Sequence, residues 1–266
     1  MHRHGTRTTG EIALAQVARG KVYSCRSDET IPGVLEIMTQ NKNFSVSVHF
    51  ADRTEAGRLL AERLARYANR ADTLILALPR GGVAVAFEMA QALSLPLDIL
   101  GVRKLGVPDR EELAFGAVAS GGVRILDPEI IQGFSLSPET IDRVVAAEEA
   151  ELHRRDSAFR AGRAALSIRD RTVILVDDGI ATGSTMLAAI AAVRRLGATR
   201  IVVAAGVAPV STSQELTSQA DEVVCLFTPP EFRAVSFFYD RFPQLTDEDV
   251  RDLLGRANQR QAPPAA

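Results

Sequence analysis

The hydrophobic pattern divides most of this chain into short apolar runs that alternate with segments of helical periodicity. TLILAL (73–78), LDILGV (97–102), VILV (173–176), RIVVAAGV (200–207) and EVVCLF (222–227) are aliphatic, rich in β-branched residues and of strand length. They are nearly continuous rather than alternating, as expected of parallel strands covered on both faces. Between them lie the helices. After Asp52, the residues Ala56, Leu59, Leu60, Leu64 and Tyr67 recur at helical spacing, and Glu55 completes a capping-box pattern with Asp52. VAVAFEMAQAL (83–93) predicts a second helix, and residues 137–159 predict a long charged one with Ser137 as N-cap and Pro138 in its first turn. Residues 185–196 predict another, which Gly197 stops. Strands alternating with helices predict an α/β fold, a central parallel sheet flanked by helices.

Residues 1–48 break this pattern. Polar and turn-forming clusters (RHGTRTTG, SDETIPG, TQNKNFS) dominate them, and they are expected to form an extension that is at most partly ordered. Met38, near the end of that stretch, is a candidate alternative translation start. The core is then expected at 49–245, and 246–266 as a C-terminal helix followed by a disordered Pro/Ala-rich tail.

Composition narrows the function classes. The chain has 266 residues, 46% of them hydrophobic, enough for a sizeable core. Its 31 basic and 33 acidic residues leave a formal charge of −2, which argues against a general binder of nucleic acid or anionic membrane. Cys25 and Cys225 suggest no disulfide framework, and His2, His4, His49 and His153 make no spaced ligand set with them. No apolar run reaches the length of a membrane span, and a cytoplasmic location is expected.

The chemistry concentrates in VILVDDGIATGST, Val173 to Thr185. Asp177 and Asp178 stand at the carboxyl end of a buried strand, where open α/β sheets place their ligands. Thr182, Gly183, Ser184 and Thr185 follow at a helix amino terminus, where backbone N–H groups lack intrahelical partners and suit a phosphate. The two acids suit sugar hydroxyls or a Mg2+ ion, since both want oxygen acceptors. Earlier, LPRGG (78–82) follows a strand directly, so Arg80 can fork onto phosphate oxygens while Gly81 and Gly82 free the backbone. In GVRKLGVPDREELAFGAVA (101–119), Arg103 and Lys104 emerge from a strand end, and Gly106, Pro108, Asp109 and Arg110 predict a mobile loop. FTPPEFRAVSFFYDRF (227–242) gathers much of the limited aromatic content.

The segment 173–185 resembles the phosphoribosyl-pyrophosphate (PRPP) motif of the type I phosphoribosyltransferases. Asp177, Asp178, Ala181, Thr182, Gly183, Ser184 and Thr185 match that motif in order. The resemblance extends over about residues 50–245 and implies the family's fold, with a small hood region beside the sheet. It implies transfer of 5-phosphoribosyl from PRPP to a nucleobase or similar nitrogen acceptor, with release of pyrophosphate. Ala181 to Thr185 would bind the 5′-phosphate. Asp177 and Asp178 would act on the ribose hydroxyls and hold Mg2+, directly or through water. Arg80, Gly81, Gly82, Arg103 and Lys104 would bind pyrophosphate, with Arg103 and Lys104 on a flexible catalytic loop. The loop at Arg80 often carries a cis non-proline peptide in that family. Phe232 would stack on the base and Asp240 would contact it. A homodimer is a further candidate assembly.

Ala181 departs from the hypoxanthine-guanine enzymes, which carry an Asp there, and is similar to adenine-type and uracil-type patterns. The overall resemblance is to a group of bacterial phosphoribosyltransferases whose substrate these residues do not name. Two other functions fit the same segments: a PRPP-binding regulator, and a nucleotide hydrolase or phosphorylase.

Overall fold

A computed structural model describes residues 49–259; the extension 1–48 with Met38, and residues 260–266 of the tail, lie outside the described residues. Five of the apolar runs become β1 (Thr73–Ala77), β2 (Leu97–Ile99), β6 (Thr172–Asp177), β7 (Arg200–Val207) and β8 (Glu222–Phe227). All pair in parallel, in the order β2-β1-β6-β7-β8. Successive residues of these strands alternate between two apolar layers. Ile75, Ala77, Ile174, Val176, Val202 and Ala204 face one layer; Leu74, Leu76, Val173, Leu175, Ile201 and Val203 face the other. Both faces are therefore dry, which is why the sequence shows continuous runs.

The first layer is closed by α1 (Arg53–Arg63), α2 (Gly81–Leu93) and α7 (Asp247–Gln259). The second is closed by α5 (Ser184–Arg195) and α6 (Val210–Gln219). At the start of α1 the Asp52 carboxylate accepts from the Glu55 N–H at 3.1 Å, and Glu55 accepts from the Ala51 N–H at 2.6 Å. Both halves of the cap thus form, the return bond falling one residue earlier than in the standard box.

Residues 101–126 correct the sequence reading. The run 97–102 splits: β2 ends at Ile99, and a second, antiparallel sheet begins at β3 (Val102–Val107). β3 pairs with β4 (Arg110–Ala119) across a two-residue turn at Pro108 and Asp109, and β4 pairs with β5 (Val123–Leu126). The loop expected from Gly106 to Arg110 narrows to the two-residue turn, with Gly106 inside β3 and Arg110 opening β4. After β5 come the short α3 (Pro128–Gly133) and the long α4 (Pro138–Arg160), N-capped by Ser137. Leu105, Val107, Phe115 and Val118 of the hairpin pack against Val145 and Leu152 of α4. No described helix is long and apolar enough to cross a membrane.

Candidate active site

The chain leaves β1 for β2 on one side and returns to β6 on the other, so the carboxyl ends of β1 and β6 flank the point where strand order reverses. That is where parallel sheets open a crevice for ligands. Ala77 is in register with Val176, and the Leu78 N–H bonds to the Val176 carbonyl at 2.9 Å. The segment 78–82 is thereby laid directly beside Asp177 and Asp178. Its Pro79–Arg80 peptide is cis. A side chain at position 81 would collide with the Asp178 carboxylate, and one at position 82 would stand 2.5 Å from the Val176 carbonyl. Only glycine permits this approach.

The two acids have different surroundings. Asp178 is buried, and its Oδ2 accepts from the Arg53 Nε at 2.7 Å. Arg53 is the first residue of α1; it also donates to the Pro243 carbonyl at 2.8 Å and lies 3.7 Å from the Phe242 ring centroid. The Asp178 main-chain carbonyl accepts from the Tyr239 hydroxyl at 2.6 Å. Tyr239 packs in turn on Phe50 and Phe242, and burial pushes its hydroxyl pKa up. Asp177 is half-buried and has no arginine partner among the described residues. Burial, then the adjacent Asp178 carboxylate, holds its carboxyl well above the usual carboxylate range. The Asp178 N–H, donating to Asp177 Oδ1 at 2.8 Å, opposes that shift in part.

Beyond the acids the chain turns into α5 through Ala181, Thr182 and Gly183. Gly183 adopts φ +77°, a left-handed conformation that other residues enter at a cost. Ala181, Thr182, Ser184 and Thr185 are exposed, and the Thr182 and Ser184 hydroxyls lie 3.1 Å apart. The Thr212 hydroxyl of α6 braces the turn by donating to the Ala181 carbonyl at 2.9 Å. Hydroxyls and first-turn N–H groups are thus presented together, as a phosphate requires.

The cations are placed less simply. Arg80 pairs with Asp247 at 2.9 Å and donates to the Leu245 carbonyl at 3.3 Å, both at the start of α7. Arg103 and Lys104 are adjacent on a strand, so they face opposite sides of the hairpin. Arg103 is ion-paired with Glu148 of α4, while Lys104 is exposed without an acid partner among the described residues. In the segment after β8, Val235 lies against Gly179 just past the acids. Phe232 stacks on Phe238 at 5.6 Å and 23°, which occupies one of its faces. Asp240 is exposed and sits 3.3 Å from His49.

Arg53, Tyr239, Thr212, Glu148 and Asp247 were not legible as site neighbours in the sequence. Arg53 follows an N-cap and reads as an ordinary solvated helix residue. Its partner lies 125 positions away, and no local spacing announces it.

The profile of the phosphoribosyl transferase domain family matches residues 51–230. A Mycobacterium tuberculosis H37Rv protein, provisionally named a phosphoribosyl transferase, is 46% identical over 209 residues, 79% of this chain and 47% of its own length. The chain therefore spans about half the length of the curated relatives it matches. The crystal structure of a Thermus thermophilus protein is similar at 41% identity and TM-score 0.70, over 77% of this chain and 97% of that one. A purine phosphoribosyltransferase from Pyrococcus horikoshii is 20% identical, over 73% of this chain and 92% of that one, at a TM-score of 0.41 too remote to carry weight. The 51–230 match covers more than half of the chain and spans both the glycine loop and the acid pair, and the chain belongs to the phosphoribosyl transferase domain family.

Proposed function

We propose that the chain transfers 5-phosphoribosyl from PRPP to the nitrogen of a nucleobase-like acceptor and releases pyrophosphate. One observation carries the reading. The acid pair at the end of β6 meets the glycine loop after β1 at the strand-order reversal, with a hydroxyl-bearing helix start on the same loop. Ala181 to Thr185 would hold the 5′-phosphate. Asp177 would face the ribose hydroxyls, while Arg53 fixes Asp178 and with it the strand end. The C1′–O bond to pyrophosphate breaks with its electron pair on the leaving group, and a C1′–N bond forms. Positive charge at C1′ is stabilised by placed carboxylate, and catalysis rests on positioning and electrostatics.

Asp177, with Asp178 through water, suits Mg2+: hard cations of this kind take one or two carboxylates together with substrate oxygens. Bound there, it would offset charge on the pyrophosphate. Among the described residues no three acidic, His or Cys side chains form a ready-made metal cage, so substrate oxygens would complete the shell. Lys104, Arg103, Arg80, Gly81 and Gly82 would receive the pyrophosphate. Ala181 bears no proton acceptor, so the acceptor's proton would pass to a group outside this loop. Phe232, backed by Phe238, would offer its free face to the base; Asp240, turned to His49, enters this proposal less directly. A cytoplasmic location remains part of the proposal.

A second reading, PRPP binding without turnover, is favoured by one fact. Arg80 and Arg103, two of the three cations assigned to pyrophosphate, are each held by an acid of the chain itself. Pyrophosphate release from PRPP and Mg2+ across a panel of purine and pyrimidine bases, with a no-base control, separates the readings. Release with one base, matched by its nucleotide, is the expected result. Release without any base means hydrolysis, and binding without release with any base means a regulator.

A further inference from the structure

A concave surface lies apart from the acid pair. A cavity of about 360 Å3 opens between the tip of the β3–β4 hairpin and the connection from α3 to α4. Its walls include Pro108 and Arg110 from the hairpin, Phe134 and Ser135 from the connection, and Thr140 and Arg143 from the first turns of α4. None of its lining residues belongs to the segments 78–82 or 177–185. The volume falls at the lower end of small-molecule pockets, which run from roughly 300 to 1,000 Å3.

Its charge is one-sided. No acidic residue lines it, and among the described side chains, which exclude that of Glu111, neither Arg110 nor Arg143 is in an ion pair. This sets them apart from the arginines nearby. Arg103 is paired with Glu148, Arg124 with Glu149, Arg154 and Arg155 with Glu151, and Arg160 with Asp98 and Asp156. Of the acids close to them in sequence, Asp109, Glu112, Glu139 and Asp142 are exposed, and none of these lies in the lining. The Phe134 ring is 37% exposed, an unusual place for a large apolar side chain, and the Arg110 guanidinium stands 5.5 Å from its centroid. Two guanidiniums fit phosphate oxygens, the Ser135 and Thr140 hydroxyls can donate to the same group, and the phenyl face suits a flat ring.

We infer that this cavity is a second ligand site, for an aromatic phosphate monoester of the size of a nucleoside monophosphate. Such a ligand would bridge Arg110 on the hairpin to Arg143 on α4. It would clamp the hairpin that bears Arg103 and Lys104 against the helix that bears Glu148. An effect on turnover rests on the transferase reading; binding itself does not.

The test is calorimetric titration of phenyl phosphate into the full chain, with and without saturating ribose 5-phosphate and Mg2+. The expected result is one phenyl phosphate bound in the presence of ribose 5-phosphate. That affinity should fall at least tenfold in Arg143→Ala and in Arg110→Ala, and stay unchanged in Thr182→Ala. Both arginines are exposed, so these variants should fold, which circular dichroism checks. Hydrogen exchange at 107–110 and 134–143 should slow on binding. The inference is overturned if binding is absent at millimolar probe, if Thr182→Ala weakens it instead, or if inorganic phosphate binds as well as phenyl phosphate. If ribose 5-phosphate does not bind, the transferase reading fails, yet the arginine variants still read this cavity.

Discussion

Replacing Arg53 by Met removes one partner of a buried ion pair and leaves the other in place. Only 9% of the Arg53 side chain and 12% of the Asp178 side chain reach solvent, so water cannot replace the lost guanidinium. Asp178 would keep a charge without its 2.7 Å donor, and the Pro243 carbonyl and Phe242 ring would lose theirs. Breaking a buried pair from one side costs about 3–5 kcal/mol, most of it from the stranded charge. For a domain of this size that corresponds to a fall in Tm of roughly 6–20 °C. The assay is urea unfolding of four proteins: wild type, Arg53→Met, Asp178→Asn and the double variant. If the stranded charge is the cause, Asp178→Asn in the Arg53→Met background should recover about 2 kcal/mol, a coupling within the range of contacting residues. A loss below about 1 kcal/mol in Arg53→Met, as for an exposed pair, would refute the reasoning. So would additive losses in the double variant.

Three further outcomes are expected. Asp177, with its carboxyl raised by burial and by Asp178, holds its proton to higher pH in the folded chain than in the unfolded one, whose ordinary value is 3.8. That contribution is full below pH 3.8 and lost as pH rises through the folded value, so Asp177→Asn should unfold at higher urea than wild type at pH 7. The gap should close toward pH 3.8, and a gap independent of pH would contradict this. Lys104 is the only lysine in residues 43–266, exposed on β3; Lys104→Ala should lower kcat about 100-fold while ribose 5-phosphate affinity barely moves, and equal losses would argue against a pyrophosphate role. Burial pushes the Cys225 thiol up to about 11, so at pH 8 roughly one in a thousand is thiolate. In a Cys25→Ser background a thiol reagent should label Cys225 slowly in buffer and fast in urea, and similar rates in both would show the site to be open.

What the sequence disclosed follows from how local each feature is. Strands β1, β6 and β7 are buried on both faces, so their apolar runs cannot be confused with amphipathic ones. The acid pair and the Thr182–Thr185 turn are contiguous, and their meaning survives without tertiary information. The hairpin was harder. Gly106, Pro108 and Asp109 are turn formers, yet only Pro108 and Asp109 make the turn, and Gly106 sits at a register shift inside β3. Period two was nonetheless present: Arg103, Leu105 and Val107 point to α4, where Glu148, Val145 and Leu152 receive them, while Lys104 points away. Phe232 was legible as an aromatic but not as half of a stack with Phe238, because both lie in one dense aromatic cluster. The contacts of Arg53 and Arg80 span 125 and 165 positions, and only folding brings those groups together.

The central claim is that the turn from Ala181 to Thr185, beside Asp177, holds the phosphoribosyl group. Calorimetric titration of PRPP with Mg2+ into the full chain, set against the Thr182→Ala/Ser184→Ala variant, tests it most directly. The account predicts one PRPP bound per chain and at least a tenfold loss of affinity in the variant. No binding to the wild-type chain, or equal binding to both proteins, would contradict it.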